Sequence, residues 1–375
     1  MNLPALARLA EYCEEKKLSS VLLSDPATIT WITGYAPPIQ TGPNPFEGSP
    51  ALGWWQAGQL TLILSDGEAG AARILGIEVR EYAGYSIERP AAGFQNQAAV
   101  LKDVLRSAGR VGGNVGVEFN FLPGSLMASL NDLLSSAALV PLDSCLAPLR
   151  ALKTPEEVER IRAALALCDL AQAETHRFVR AEVSEIALWG QVKARLEAEA
   201  GSRVPVLADF IGGPRTAEIG GLPGNYVLRP GDALIADIVP RLNGYWGDNC
   251  GTHFVGEPSP DLRKAYQAVR GALSAAVAAV RPGIRACDLD AQMRKAIQDG
   301  GYAVYPHHSG HGLGTTYHEE PRIVPYNTQP LQPGMVIALE PGAYVPDLGG
   351  VRLEDVLLVT HDGCEVLTRH LAQAA

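Results

Sequence analysis

The apolar positions of the first 145 or so residues follow two rhythms. Three- and four-residue spacing in LPALARLAEYCEEK predicts a helix, while the short apolar runs SSVLLSD, LTLIL and VGVEF predict buried strands. Alternation of the two makes this part an α/β domain. Between them, TGYAPPIQTGPNPFEGSPALGWW is rich in proline and glycine, which predicts a surface loop ending in packed aromatics, Trp54 and Trp55. A junction follows, with the boundary expected between Ala147 and Pro148. Thr154 with Glu157 forms a capping box, and Pro155 suits the first helical position. Val158, Ile161, Leu165 and Cys168 then mark the buried face of a long helix. Ser259-Pro260 opens a second, with Leu262, Tyr266, Val269, Leu273, Val277 and Val280 as its apolar stripe before Pro282-Gly283 stops it. A third runs from about Cys287 to Asp299.

Two hairpins interrupt this pattern and carry the chemistry. In DALIADIVPRLNGYWGDN a turn centred on Asn243-Gly244 makes Asp237 and Asp248 diagonal neighbours on one face, with Cβ atoms within roughly 8 Å. In MVIALEPGAYVPDLGGVRLEDVLLV a turn centred on Asp347 sets Glu340 opposite Glu354. Asp237 and Glu340 each end an apolar run, ALIAD and VIALE, where a charge is rarely left unpaired. Four carboxylates gathered in one place repel unless cations sit among them. His311 lies in HHSGHGLGTTYHEEP, where four histidines fall within twelve residues and Gly310, Gly312 and Gly314 let the backbone approach a site. Asp237, Asp248, His311, Glu340 and Glu354 are therefore the candidate ligands of a two-metal hydrolytic centre. Oxygen-rich and with one imidazole, the set suits Mn²⁺, Co²⁺, Fe²⁺ or Zn²⁺ better than copper or a thiolate metal.

The stretches D-x10-D from Asp237 to Asp248, GHGLGTTYHEEP, IALEPGAY and GVRLEDVLLV resemble the pita-bread metallopeptidases, a family that includes methionine aminopeptidase, aminopeptidase P, prolidase and creatinase. The resemblance covers roughly residues 150–370 and, more weakly, the N-terminal part. It implies an α+β architecture: a pita-bread catalytic domain at 148–375 preceded by a smaller α/β creatinase-like domain at 1–147. It further implies two divalent ions, with Mn²⁺ the first choice, bridged by Asp248 and Glu354. Asp237 would complete one sphere, His311 and Glu340 the other. Glu340 takes the proton-shuttle role and His318 binds substrate and steadies the oxyanion, while His308 and Arg352 support the site or meet a substrate carboxylate. By the same likeness the substrate is a short peptide cut at an Xaa-Pro bond, as by an Xaa-Pro dipeptidase or aminopeptidase, and the assembly a homodimer in which Trp54 and Trp55 could touch a neighbouring site. A metallo-carboxypeptidase and a catalytically inactive binding protein are the alternatives.

The family pattern is broken in places. Phe210 to Asp232 lacks the histidine usual before the first metal strand, and Asp-x-Thr-Arg-Thr reads Asp248-Asn249-Cys250-Gly251-Thr252. His253, five residues from Asp248, points to the other face of its strand.

Composition narrows the class. At 375 residues the chain should split into about two domains, and with 47% apolar and 19% charged residues no run reaches the length of a membrane span. The opening MNLPALARLAEYCEEKK lacks a signal-peptide core, so a cytoplasmic location is expected. Six cysteines without paired spacing suit a reducing compartment and predict buried thiols rather than a disulfide framework. A net charge of −10 with no basic cluster excludes a nucleic-acid footprint.

Overall fold

The computed structural model describes residues 2–39, 50–90, 92–109 and 111–373. Part of the proline-rich stretch, residues 40–49, lies outside them. The chain divides into two compact units, one ending at Arg150 and one beginning at Ala151.

The first unit runs α1 (Leu3–Glu15), β1 (Leu18–Leu23), α2 (Pro26–Thr33), β2 (Leu52–Gln56), β3 (Gln59–Ser65), α3 (Asp66–Ile74), β4 (Glu78–Tyr82), α4 (Gly93–Ser107), β5 (Gly113–Val117), α5 (Gly124–Leu133), β6 (Ala137–Pro141) and α6 (Ala147–Arg150). Its six strands form one mixed sheet in the order β4-β3-β2-β1-β5-β6. Strand alternation sends neighbouring side chains to opposite faces. Trp55 therefore joins Leu9, Cys13 and Leu62 on one face, and Trp54 joins Leu101, Leu126 and Val115 on the other. Both tryptophans are buried in this unit's own core, so the packed-aromatic reading holds for them.

The second unit opens with α7 (Pro155–Phe178), where Thr154 and Glu157 make the reciprocal cap. There follow α8 (Glu185–Ala200), β7 (Val206–Gly212), a 3-10 turn (Gly213–Glu218), β8 (Ala233–Leu242), β9 (Tyr245–Trp246), β10 (Asn249–Phe254), α9 (Pro260–Ala279) and α10 (Ala286–Asp299). The remainder is β11 (Gly310–Gly312), β12 (Glu319–Ile323), β13 (Val336–Leu339), β14 (Gly342–Val345), β15 (Gly349–Arg352), β16 (Asp355–Val359), β17 (Cys364–Val366) and α11 (His370–Gln373). Antiparallel β7, β8 and β10 form one sheet, β12-β11-β13-β16-β17 another, and β14-β15 a separate ribbon. Leu188, Val192 and Leu196 of α8 and Leu167 and Ala171 of α7 cover the first sheet through Leu234, Ala236 and Ile238. Val269 and Leu273 of α9 and Leu289, Met293 and Ile297 of α10 pack on Leu339, Val351 and Leu357. The predicted stripes are thus core. Val158, Ile161, Leu165 and Cys168 are buried, as are Leu262, Val269, Leu273 and Val280.

Two expectations are corrected. The strand that was to end at Asp237 continues to Leu242, because Asp237 faces a cavity rather than a loop. The thiols are all free, but only Cys13, Cys168 and Cys250 are buried; Cys145 is exposed and Cys287 and Cys364 are partly so.

Candidate metal centre

Alternation along β8 decides which residues reach the site. Leu234, Ala236 and Ile238 belong to the core beneath the helices, so Asp237 and Val239 point the other way and line a cavity of about 560 Å³. The returning strand pairs Arg241 with Trp246 and Asp237 with Cys250, so the hairpin turns on Asn243 and Gly244, at φ of 49° and 87°. That register makes Asp248 the diagonal neighbour of Asp237.

In the second ribbon, Leu339 pairs with Asp355 and Gly342 with Arg352, one continuous register that sets Glu340 across from Glu354. Their N–H groups donate elsewhere, Glu340 to the Ser309 carbonyl and Glu354 to the Cys250 carbonyl, both at 3.0 Å. The second of these bonds ties the two ribbons together. His311 sits on β11, wedged between β12 and β13. The wedge needs bare backbone: a Cβ at Gly310 would lie 2.0 Å from the Ala338 carbonyl oxygen, and one at Gly312 2.2 Å from that of Glu320. The His311 Nδ1 lies 2.8 Å from the Gly312 carbonyl, which accepts its proton and leaves Nε2 as the acceptor toward the cavity.

All five residues singled out from the sequence line this one cavity. Donor atoms of Asp248, His311 and Glu354 lie within 4.8 Å of one another. The His311 Nε2 is 3.6 Å from both Asp248 Oδ2 and Glu340 Oε1. Burial, then repulsion from Asp237 and Glu340, pushes Asp248 well above the usual carboxylate range; burial and the charges of Asp248 and Asp237 do the same to Glu354. Asp237 rises to about 6, because burial outweighs the Arg352 guanidinium beside it. Burial also pushes at Glu340, but the hydrogen bond from His308 and the nearby His311 hold it down at about 2. Burial keeps His311 neutral, lowered to about 4. Among the described residues, the buried Glu354 Oε1 has no hydrogen-bond partner. An orphaned carboxylate oxygen, crowded acids and a neutral imidazole make a donor set that fits divalent cations and is unfavourable without them.

Around this set stand groups that hold it. Arg352 is 4% exposed; its Nη2 donates to Asp237 Oδ2 at 2.7 Å and to Asp209 Oδ2 at 2.9 Å, and its Nη1 to the Ile219 carbonyl at 2.7 Å. It is not among the residues lining the cavity. His308 Nε2 is 2.8 Å from Glu340 Oε1, also a supporting contact. His318 lines the cavity with its ring centroid 4.3 Å from that of His311. The loop carrying it is fixed by Glu319, which receives the N–H groups of Thr315 and Thr316 and pairs with the buried Lys153 at 2.5 Å. Asp209, Lys153 and Glu319 escaped the sequence reading. Only the cross-strand register of β7, which puts Asp209 opposite Asp237, brings the first into view.

Comparison with known proteins agrees with this geometry. The profile of metallopeptidase family M24 matches residues 159–361, and that of the creatinase/prolidase N-terminal domain residues 6–152. An uncharacterized peptidase of Bacillus subtilis is 30% identical over 302 residues, 80% of this chain and 82% of its own. The Xaa-Pro dipeptidase of Pyrococcus furiosus is 29% identical over 369 residues, 97% of each chain. Among solved structures, the prolidase from Pyrococcus furiosus superposes with a TM-score of 0.79 at 26% identity, covering 96% of this chain and 98% of that one. Dipeptidase PepE from Mycobacterium ulcerans gives 0.77 at 29% identity, covering 98% and 95%. The chain belongs to metallopeptidase family M24, with a creatinase-type N-terminal domain ahead of a pita-bread catalytic domain. It is a hydrolase of a family that depends on a dinuclear metal site, which sets aside the reading as an inactive binding protein.

Proposed function

We propose that this chain is a dinuclear metallopeptidase that cleaves short peptides, at bonds preceding proline, in the manner of an Xaa-Pro dipeptidase. The observation that carries the reading is the convergence of Asp237, Asp248, His311, Glu340 and Glu354 on one small cavity with His318 at its edge. Asp237, Asp248, His311, Glu340 and Glu354 would together hold two divalent ions, for which Mn²⁺ is the first choice. When bound, the two cations make water a nucleophile at neutral pH and draw charge from the scissile carbonyl.

The chain's own groups then divide the remaining work. Glu340, ionised at neutral pH, takes the proton from the attacking water and returns it to the leaving amine. His308 keeps its carboxylate aimed. His318, its basicity lowered by the cavity walls and by His311, donates a hydrogen bond to the oxyanion as a neutral ring. Trp189, Leu222, Pro223, Val239 and Tyr317 give the cavity an apolar wall for an uncharged side chain. With Arg352 held by two aspartates, we assign the substrate's free carboxylate to Arg322 on β12, whose charge is felt at both His311 and His318.

Likeness to two relatives whose names specify Xaa-Pro dipeptidase and prolidase supports the proline preference. Mass spectrometry of a peptide panel, free and blocked at either end and incubated with Mn²⁺-loaded protein, tests it. Cleavage of Xaa-Pro dipeptides only is the expected result. Release of single residues from the carboxyl end of longer peptides would instead select the carboxypeptidase alternative.

A further inference from the structure

A second cavity, of about 610 Å³, opens in the catalytic unit between β10 and the helices α7 and α9. Charge separates the two spaces. Among the described residues, those lining the metal cavity include five carboxylates and no lysine or arginine, whereas those lining the second one include Arg263, Arg270, His176, His253 and His370 and no carboxylate. In a chain of net charge −10 such a concentration of nitrogen bases is the exception.

Part of this set is already engaged. Arg263 pairs with Glu257, His253 Nε2 meets Gln172 Oε1 at 2.8 Å, and His370 sits between Asn249, the Cys250 carbonyl and Asp169. Arg270 is different: half-buried beside the Tyr266 hydroxyl, it makes no ion pair among the described residues. The exposed His176 has its ring 5.9 Å from that of His253. Phe254 and Tyr266, edge to face at 5.6 Å, supply an aromatic wall. At Gly251, where the family pattern has an arginine, a Cβ would lie 2.6 Å from the Gln172 side chain, so the bare backbone keeps the cavity floor in place.

We propose that this second cavity binds a small organic molecule bearing a phosphate or carboxylate group, its oxyanion received by Arg270 and His176. The charge of Arg270 is felt at Asp355, but no carboxylate closes a direct ion pair with it among the described residues, so its guanidinium can still gain a charge-assisted, two-pronged hydrogen bond, and the aromatic wall takes the ligand's body. The proposal stands independently of which peptide the metal centre cleaves.

Isothermal titration calorimetry of the Mn²⁺-loaded full chain at constant ionic strength, with sodium phosphate in one arm and sodium succinate in the other, tests it. Saturable one-to-one binding is expected in at least one arm, and the arm identifies the group. Arg270→Met should weaken it by roughly tenfold while peptide hydrolysis is unchanged. Should that variant fail to fold, the exposed His176→Ala carries the test, with weakening of roughly threefold or more. Absence of saturation in both arms, or unaltered binding in both variants, which would place the anion at the metals, overturns the proposal.

Discussion

At the scale of single residues, the metal cavity is a balance between buried acids and what neutralises them. Glu340→Ala should reduce turnover by about 100- to 10,000-fold with the thermal melt nearly unchanged, and wild-type-like rates in that variant would remove Glu340 from the mechanism. Arg352 poses the opposite case. Its removal leaves Asp237 as an uncompensated buried charge, so Arg352→Met should cost the metal-free protein about 3–5 kcal/mol in denaturant unfolding, and less once ions are bound to take over the compensation. Protonation follows from the same crowding. Burial and mutual repulsion hold Asp248 and Glu354 well above the ordinary carboxylate range without ions, so a cation entering among them competes with protons; His311, lowered to about 4, has none to give near pH 7. Metal loading at pH 7 should therefore release protons, and affinity should fall as pH falls. Calorimetry in buffers of different ionisation enthalpy measures this, and zero release contradicts it. The four acids and the imidazole were visible as candidates in the sequence because the acids sit at positions fixed by local turn chemistry and His311 lies in a stretch dense in histidine and glycine. For Arg352 the family likeness left open support of the site or contact with a substrate carboxylate, since its direction depends on β15 packing against β8 and on the Asp209 carboxylate that β7 contributes.

At the scale of elements, the site is two β-ribbons braced from behind. Gln172 on α7 donates its amide to the Ala236 carbonyl at 2.7 Å and to Asn249 Oδ1 at 2.9 Å, the residues just before Asp237 and just after Asp248. Replacing it by leucine leaves those acceptors unsatisfied and should cost about 1–3 kcal/mol of stability. If the brace also aims the aspartates, metal affinity falls by about 10- to 100-fold while turnover at saturating metal is largely kept. A variant with lowered stability and unaltered metal affinity would leave Gln172 a packing residue only. Nothing in its surroundings, LCDLAQAET, distinguishes this glutamine from a solvated helix position, because its partners come from strands 64 and 77 residues away. The hairpins and helix caps were readable for the converse reason: Asn243-Gly244, Thr154-Pro155 and Ser259-Pro260 each settle their own turn or helix start within a few residues. Strand order in the N-terminal sheet, β4-β3-β2-β1-β5-β6, is long-range and had no local signature.

At the scale of the whole molecule, the question is what the first unit adds. Both cavities, the metal-facing carboxylates and their supports lie between Lys153 and Leu371, and this unit has clusters of its own around Val269, Leu165 and Leu188. A length of more than 200 residues is ample for an independent core. Expressed alone, residues 151–375 should unfold in one cooperative transition and bind Mn²⁺ with the affinity of the full chain, since no carboxylate or imidazole of the donor set is supplied from elsewhere. Peptide selectivity is the property such a fragment can lose. Unchanged kcat and KM across the peptide panel would mean that the catalytic unit alone defines the substrate; a raised KM with metal affinity intact would mean that the first unit, from the same chain or a second copy, helps to hold the peptide. Loss of metal binding in a folded fragment is the outcome incompatible with the assigned ligands, because it would require a donor outside the residues that line the cavity.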